Sequence, residues 1–274
     1  DGDAVAGDGV WSARLPAAQA TTGQLLRYAI SASDAQGHAS RFPPFPSPTD
    51  SEEFHGTVVA DPAITSQLPV VHVFVENTGA LDGGTPTRGA LFHLGELYDN
   101  VRFEVHGQSS SGWPKKGYNI DFNRDHRFRY AADGVRQKDI TLMSPYGDKT
   151  RMHTALSYTT IADAGGAGHF CFPVRVQRNG AFFGIESLLE NGDDHWLERL
   201  GRDPEGALYK MYNDLRSAGG NEKKTRTREG STDLQALVTG LNPAKPIADR
   251  VRYAWDNLDL PQVVSYFATL ALVS

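Results

Sequence analysis

Residues 101–122, VRFEVHGQSSSGWPKKGYNIDF, constrain the fold more than any other stretch, because both ends alternate apolar and polar residues. Val101, Phe103 and Val105 share one face, with Arg102 and Glu104 on the other; Tyr118, Ile120 and Phe122 repeat the pattern after the gap. A period of two puts successive side chains on opposite faces, so both halves read as half-buried strands of a sheet. Between them Gly107, Ser109, Ser110, Ser111 and Gly112 predict a mobile turn rich in backbone donors and hydroxyls, with Lys115 and Lys116 at its exit. Backbone N–H groups followed by an ammonium can cradle a phosphate. The same residues also suit a hairpin with a solvated tip, its lysines guarding an edge strand against aggregation. Parity puts Lys116 on the face of Tyr118, Ile120 and Phe122 and points Lys115 the other way.

The rest of the chain supplies partners for this sheet. PVVHVFVEN and GALFHL precede it as strands, ITLMS follows, and PVRVQR and AFFGIESLL form a hairpin. Asn179 and Gly180 join that hairpin, the pair that best accepts a type I′ turn. Asp148 is placed to cap a helix over residues 149–164 that ends at Gly165 and Gly166, and Asp193 caps a short helix, DDHWLERLG. EGALYKMYN reads as one more strand, and residues 231–241, 247–258 and 260–274 as helices. Upstream, residues 1–42 resemble the end of an immunoglobulin- or fibronectin-like β-sandwich. Four prolines among the thirteen residues 42–54 predict a stiff extended linker over residues 43–67. Asp1, Asp3 and Asp8 among glycines suit either a calcium loop or ordinary sandwich turns.

Composition excludes several classes. A net charge of −6 over 274 residues argues against a general nucleic-acid binder. No run approaches the roughly 18 apolar residues of a membrane-spanning helix. The single cysteine, Cys171, lies in an apolar run and reads as a buried structural thiol. His72, His93, His106, His126 and His153 form no metal-ligand pattern, and no G-x-S-x-G elbow is present. The basic run NEKKTRTR, flanked by glycines, reads as a solvated loop. Both ends of the chain read as cut.

HGQSSSGWPKKGYNIDF resembles the G-x-S-S…P-K-K-x-Y signature of the CotH family of atypical protein kinases, and LMSPYGDKTRMHTALSY, RNGAFFGIESLLENGDDHWLERLG and EGALYKMYN follow in the family's order. Family members often carry Arg before the first glycine, where this chain has His106. The resemblance implies a protein-kinase-like two-lobe α+β fold. Its antiparallel sheet plus helix would span residues 68–192, and a mostly helical lobe, truncated, residues 193–274. It implies transfer of the ATP γ-phosphate to Ser/Thr hydroxyls of a protein substrate, with Mg²⁺. Gly107, Ser109, Ser110, Lys115 or Lys116, Arg151 and Glu190 are the implied nucleotide-site residues; the metal-binding and catalytic aspartates are expected beyond Ser274. Lys149, Arg151, His153 and Asp163 are the charged and polar residues counted on the helix after the loop, with no glutamate, so Glu186 and Glu190 are the next candidates to pair with the lysine. Rival readings are a non-catalytic structural or adhesive surface module and a carbohydrate-associated accessory module. An extracellular or cell-surface bacterial location is expected.

Overall fold

The computed structural model describes residues 5, 7–16, 20–132, 134–212 and 214–273, so Asp1 and Asp3 of the calcium reading lie outside the described residues. The elements are β1 Leu25–Tyr28, β2 Ile30–Ser33, β3 Ala39–Phe42, β4 His55–Val58, β5 Val70–Val75, α1 Thr78–Asp82, β6 Thr87–His93 and β7 Glu96–His106. A 3₁₀ turn, Ser109–Gly112, leads to β8 Gly117–Asp121, β9 Asp139–Met143, α2 His153–Asp163, β10 Cys171–Arg178, β11 Ala181–Glu190 and α3 Asp194–Arg199. Then come β12 Tyr209–Met211, β13 Asn221–Lys223, α4 Thr232–Gly240, α5 Ile247–Asn257 and α6 Leu260–Val273.

Seven strands close into a barrel in the order β10, β11, β9, β8, β7, β6, β5. The kinase-like two-lobe α+β architecture is therefore corrected: the sheet is a closed barrel and only 23% of the described residues are helical. The physical reason is the seam. β10 runs parallel to β5, with Arg175 opposite Val70 and Arg178 opposite Val73, so the first and last strands satisfy each other's edges. Alternation along each strand identifies strands but carries no record of which non-sequential pair closes the sheet.

Alternation does decide what fills the barrel. Val71, Val73, Phe103, Ile120, Leu142, Val174 and Leu188 are all fully buried and belong to one apolar core. At one end Phe122 and Phe128 stack at 4.9 Å, with Tyr98 edge-on to Phe122 at 5.2 Å. The β10/β11 turn takes the expected form, with Asn179 at φ 52° and Gly180 at φ 81°. Asn179 also extends the seam. Its N–H donates to Val73 O at 2.8 Å, its side-chain oxygen accepts from Val75 N at 2.9 Å, and its side-chain amide donates to Val75 O at 2.8 Å.

Elsewhere the boundaries shift. α2 starts at His153, later than the expected residue 149, yet Asp148 still accepts its first N–H at 2.9 Å. Residues expected to end a β-sandwich form separate ribbons: β1 pairs with β4, and β2 with β3. β4 thus lies within the proline-rich stretch read as a linker, and that stretch is tied to the barrel. Asn100 donates to Pro48 O at 3.0 Å and Ser51 O at 2.9 Å, and His126 bonds Glu52. At the other end α6 packs on α2, while Trp255 of α5 and Phe267 and Leu272 of α6 are exposed. No helix among the described residues is long and apolar enough to cross a membrane.

Asn179→Asp tests the seam, because it turns a carboxylate oxygen toward Val75 O where an amide donor now stands. Urea denaturation is expected to show a loss of about 2 kcal/mol; unchanged stability contradicts the role given to this side chain.

Candidate functional site

At one mouth of the barrel a carboxylate points inward. Glu186 shares the face of Leu188 on β11, opposite Val174 of β10, and its side chain is fully buried. Lys115, just before β8, reaches across the mouth so that Nζ lies 2.7 Å from Glu186 Oε1 and donates to Ile185 O at 2.9 Å. Gly184 makes this crossing possible: a Cβ there would sit 2.1 Å from Lys115 Nζ. Apart from Lys115, neither Glu186 oxygen has a hydrogen-bond partner among the described residues. Burial therefore raises the Glu186 pKa to about 7, against the opposing pull of Lys115 and of Arg151.

A second polar cluster braces the same mouth. Arg178 Nη1 donates to both oxygens of Asp82, each at 3.0 Å, and to Tyr118 OH at 2.7 Å, while Tyr118 OH donates to Asp82. Phe183 lies between the two clusters, 4.3 Å from the Arg178 guanidinium and 5.5 Å from Lys115 Nζ. A cation over an aromatic face is attracted by the ring quadrupole, so Phe183 holds both basic groups at the rim.

The serine-rich segment folds into a compact turn. Gly107 has φ 105°, and a Cβ there would lie 1.9 Å from Ser110 Oγ, so only glycine lets this serine fold back. Ser111 Oγ donates to Gln108 O at 2.5 Å, and Trp113 N to Ser110 O at 3.0 Å. Lys116 Nζ donates to Ser111 O at 2.5 Å, which ties it to the turn itself. The two lysines thus diverge. Lys115 enters the barrel mouth, whereas Lys116 faces a separate cleft of about 360 Å³ shared with Asp82, Gly84 and Glu104.

Among the residues singled out from sequence, Gly107, Ser109 and Ser110 form the turn that leads to Lys115, and Arg151 stands within electrostatic reach of Glu186. Glu190 is elsewhere. It lies four residues along β11, about 13 Å away by strand geometry, where it binds Arg199 at 2.5 Å and accepts Phe170 N at 3.2 Å. His106 bonds Asn119 Oδ1 at 2.9 Å, and burial lowers its pKa, so a neutral ring occupies the place of the family's usual Arg. Gly184, Phe183 and the Asp82, Tyr118 and Arg178 cluster were not legible as site residues. A glycine inside a strand pattern was the one available signal, since it marks close approach of another group.

Raising a carboxyl pKa above its ordinary 4.5 means the folded state holds that proton more tightly than the unfolded chain. The stability this contributes is complete below pH 4.5 and is lost as pH rises through about 7. Over that window the wild-type protein is expected to lose about 3 kcal/mol more than Glu186→Gln, read from denaturant midpoints at each pH. Parallel pH curves contradict the buried carboxyl.

No curated protein is similar enough to this chain to be matched. The family model described as CotH kinase protein does match, over residues 103–274, a span that begins in β7 and takes in the turn, Lys115, Arg151 and Glu186. With more than half of its length so matched, the chain belongs to the CotH kinase protein family.

Proposed function

We propose that the barrel mouth holds the phosphates of ATP for transfer of the γ-phosphate to Ser or Thr hydroxyls of a protein. The observation that carries this reading is the buried pair of Lys115 and Glu186 at the exit of the turn. An ammonium has three donors; Ile185 O and the Glu186 carboxylate take two, and the third remains for a phosphate oxygen. Glu186 fixes the ammonium in place and balances its charge while the mouth is empty of anion. Arg151 supplies further positive potential near Glu186. Phosphoryl transfer asks a protein mainly to position groups and balance charge, and this arrangement does both.

ATP brings its own electrophile: an acceptor hydroxyl oxygen bonds to the γ-phosphorus and releases its proton to solvent, as the bridging bond breaks and ADP leaves. Mg²⁺ is the cofactor that the family implies beside it. Among the described residues no group of three His, Cys, Asp or Glu side chains is placed to hold a metal, so the residues here do not account for that ion and no step is routed through it. A non-catalytic module is the second reading, favoured by the neutral His106 where the family usually has a cation.

Isothermal titration of ATP, with and without Mg²⁺, into Lys115→Ala and Lys116→Ala separates the lysines. Lys115→Ala is expected to weaken binding at least about tenfold, the equivalent of 1.4 kcal/mol, and Lys116→Ala to leave it within about twofold. Equal effects, or none, remove the site from Lys115. Phosphate incorporation into a generic Ser/Thr acceptor, followed by mass spectrometry, tests transfer itself; binding without incorporation favours the non-catalytic reading.

A further inference from the structure

A larger cleft, about 980 Å³, lies between the ribbon of β1 and β4 and the barrel wall. Most of its lining precedes the family-matched residues. One wall is the run of residues 22–27. Side chains alternate along a strand, so consecutive residues line a cleft together only when the backbone edge itself faces it. The hydrogen bonds of β1 agree. Val59 N donates to Gln24 O at 2.9 Å, and a Cβ on Gly56 of β4 would meet Leu26 O at 2.2 Å, so Gln24 and Leu26 turn toward β4. Leu25 and Arg27 then turn their N–H and C=O groups away from it, and no other strand among the described residues pairs with β1.

Charge in the cleft is unbalanced. Asp99, on the floor, is buried and engaged by Arg27 at 3.5 Å and by Phe54 N at 3.0 Å. Arg88 donates to Thr49 O and Asn100 O, which carry no charge, so the lining sets three carboxylates against two guanidiniums. Glu53 and Glu76 also line the cleft and have no ion-pair partner among the described residues. Among the described residues, the site thus presents the outward backbone groups of Leu25 and Arg27 with a net excess of one carboxylate beside them.

We propose that this cleft binds an extended peptide segment carrying Lys or Arg side chains, which adds a strand to the free edge of β1. Main-chain hydrogen bonds to Leu25 and Arg27 provide the register, as in other cases of strand addition, and Glu53 and Glu76 select for the basic side chains. At roughly 3.3 Å per residue, the extended edge Leu25–Tyr28 matches about four residues of such a peptide.

Fluorescence anisotropy with a labelled hexapeptide alternating Lys with Thr and Val tests this on the wild-type chain. Three companions complete the set: a Glu-for-Lys version, and two versions N-methylated on one or the other alternate set of amides. The Lys peptide is expected to bind, the Glu peptide not, and only one of the two N-methylated peptides to lose binding, because a single edge of the added strand faces β1. Glu53→Gln with Glu76→Gln is expected to weaken the Lys peptide at least tenfold. Absence of binding at about 1 mM, equal binding of the Glu peptide, or indifference to both methylation patterns overturns the proposal.

Discussion

Parallel pairing of β10 with β5 is the constraint on which the other features depend. Without it the seven strands form an open, twisted sheet with two exposed edges, and the side chains at its rim have no fixed neighbours across the gap. Closure puts Leu142, Val174 and Leu188 in one dry interior. It also places Glu186 just inside the mouth, where its side chain is buried. Asn179 shows how closely the turn and the seam are joined, since the residue that allows the hairpin also bonds both polar backbone groups of Val75.

A carboxylate buried in an apolar barrel costs more than one ion pair returns, and breaking such a pair leaves an uncompensated charge. The mouth therefore carries a standing imbalance. Lys115 satisfies one side of Glu186, the other oxygen has no bonded partner among the described residues, and Arg151 adds only distant potential. The braced cluster of Asp82, Tyr118 and Arg178 is the contrast, a nearby set in which the carboxylate receives several donors. One cluster is satisfied and holds α1 to the barrel. The other is short of partners, and strongly shifted carboxyls at a concave rim with an unfilled donor are where ligand binding concentrates.

Much of the barrel was legible because period-two alternation is local: the strands from β5 to β11 each announce themselves within a few residues, and Asn179 with Gly180 fixes their last hairpin. Closure was not legible, since the pairing of Arg175 with Val70 joins residues far apart in sequence through backbone groups that every residue shares. The expectation of a mostly helical second lobe failed for a related reason. α4, α5 and α6 are individually readable, but their period carries no information on what, if anything, they pack against. At the site, the turn and the lysines were visible, and Glu186 stood among the candidate partners. Choosing Lys115 over Lys116 required three dimensions. Parity alone points Lys115 away from the inner face, and its ammonium occupies the space that a Cβ on Gly184 would take.

Lys115 and Glu186 act, on this reading, as a buried, phosphate-responsive pair. Its most direct measurement is ¹³C NMR titration of the Glu186 side-chain carboxyl, assigned with Glu186→Gln, in the presence and absence of ATP. The expected midpoint lies near pH 7 and moves upward when a polyphosphate draws on the same ammonium. A midpoint in the ordinary glutamate range, or one that bound ATP leaves unmoved, contradicts it.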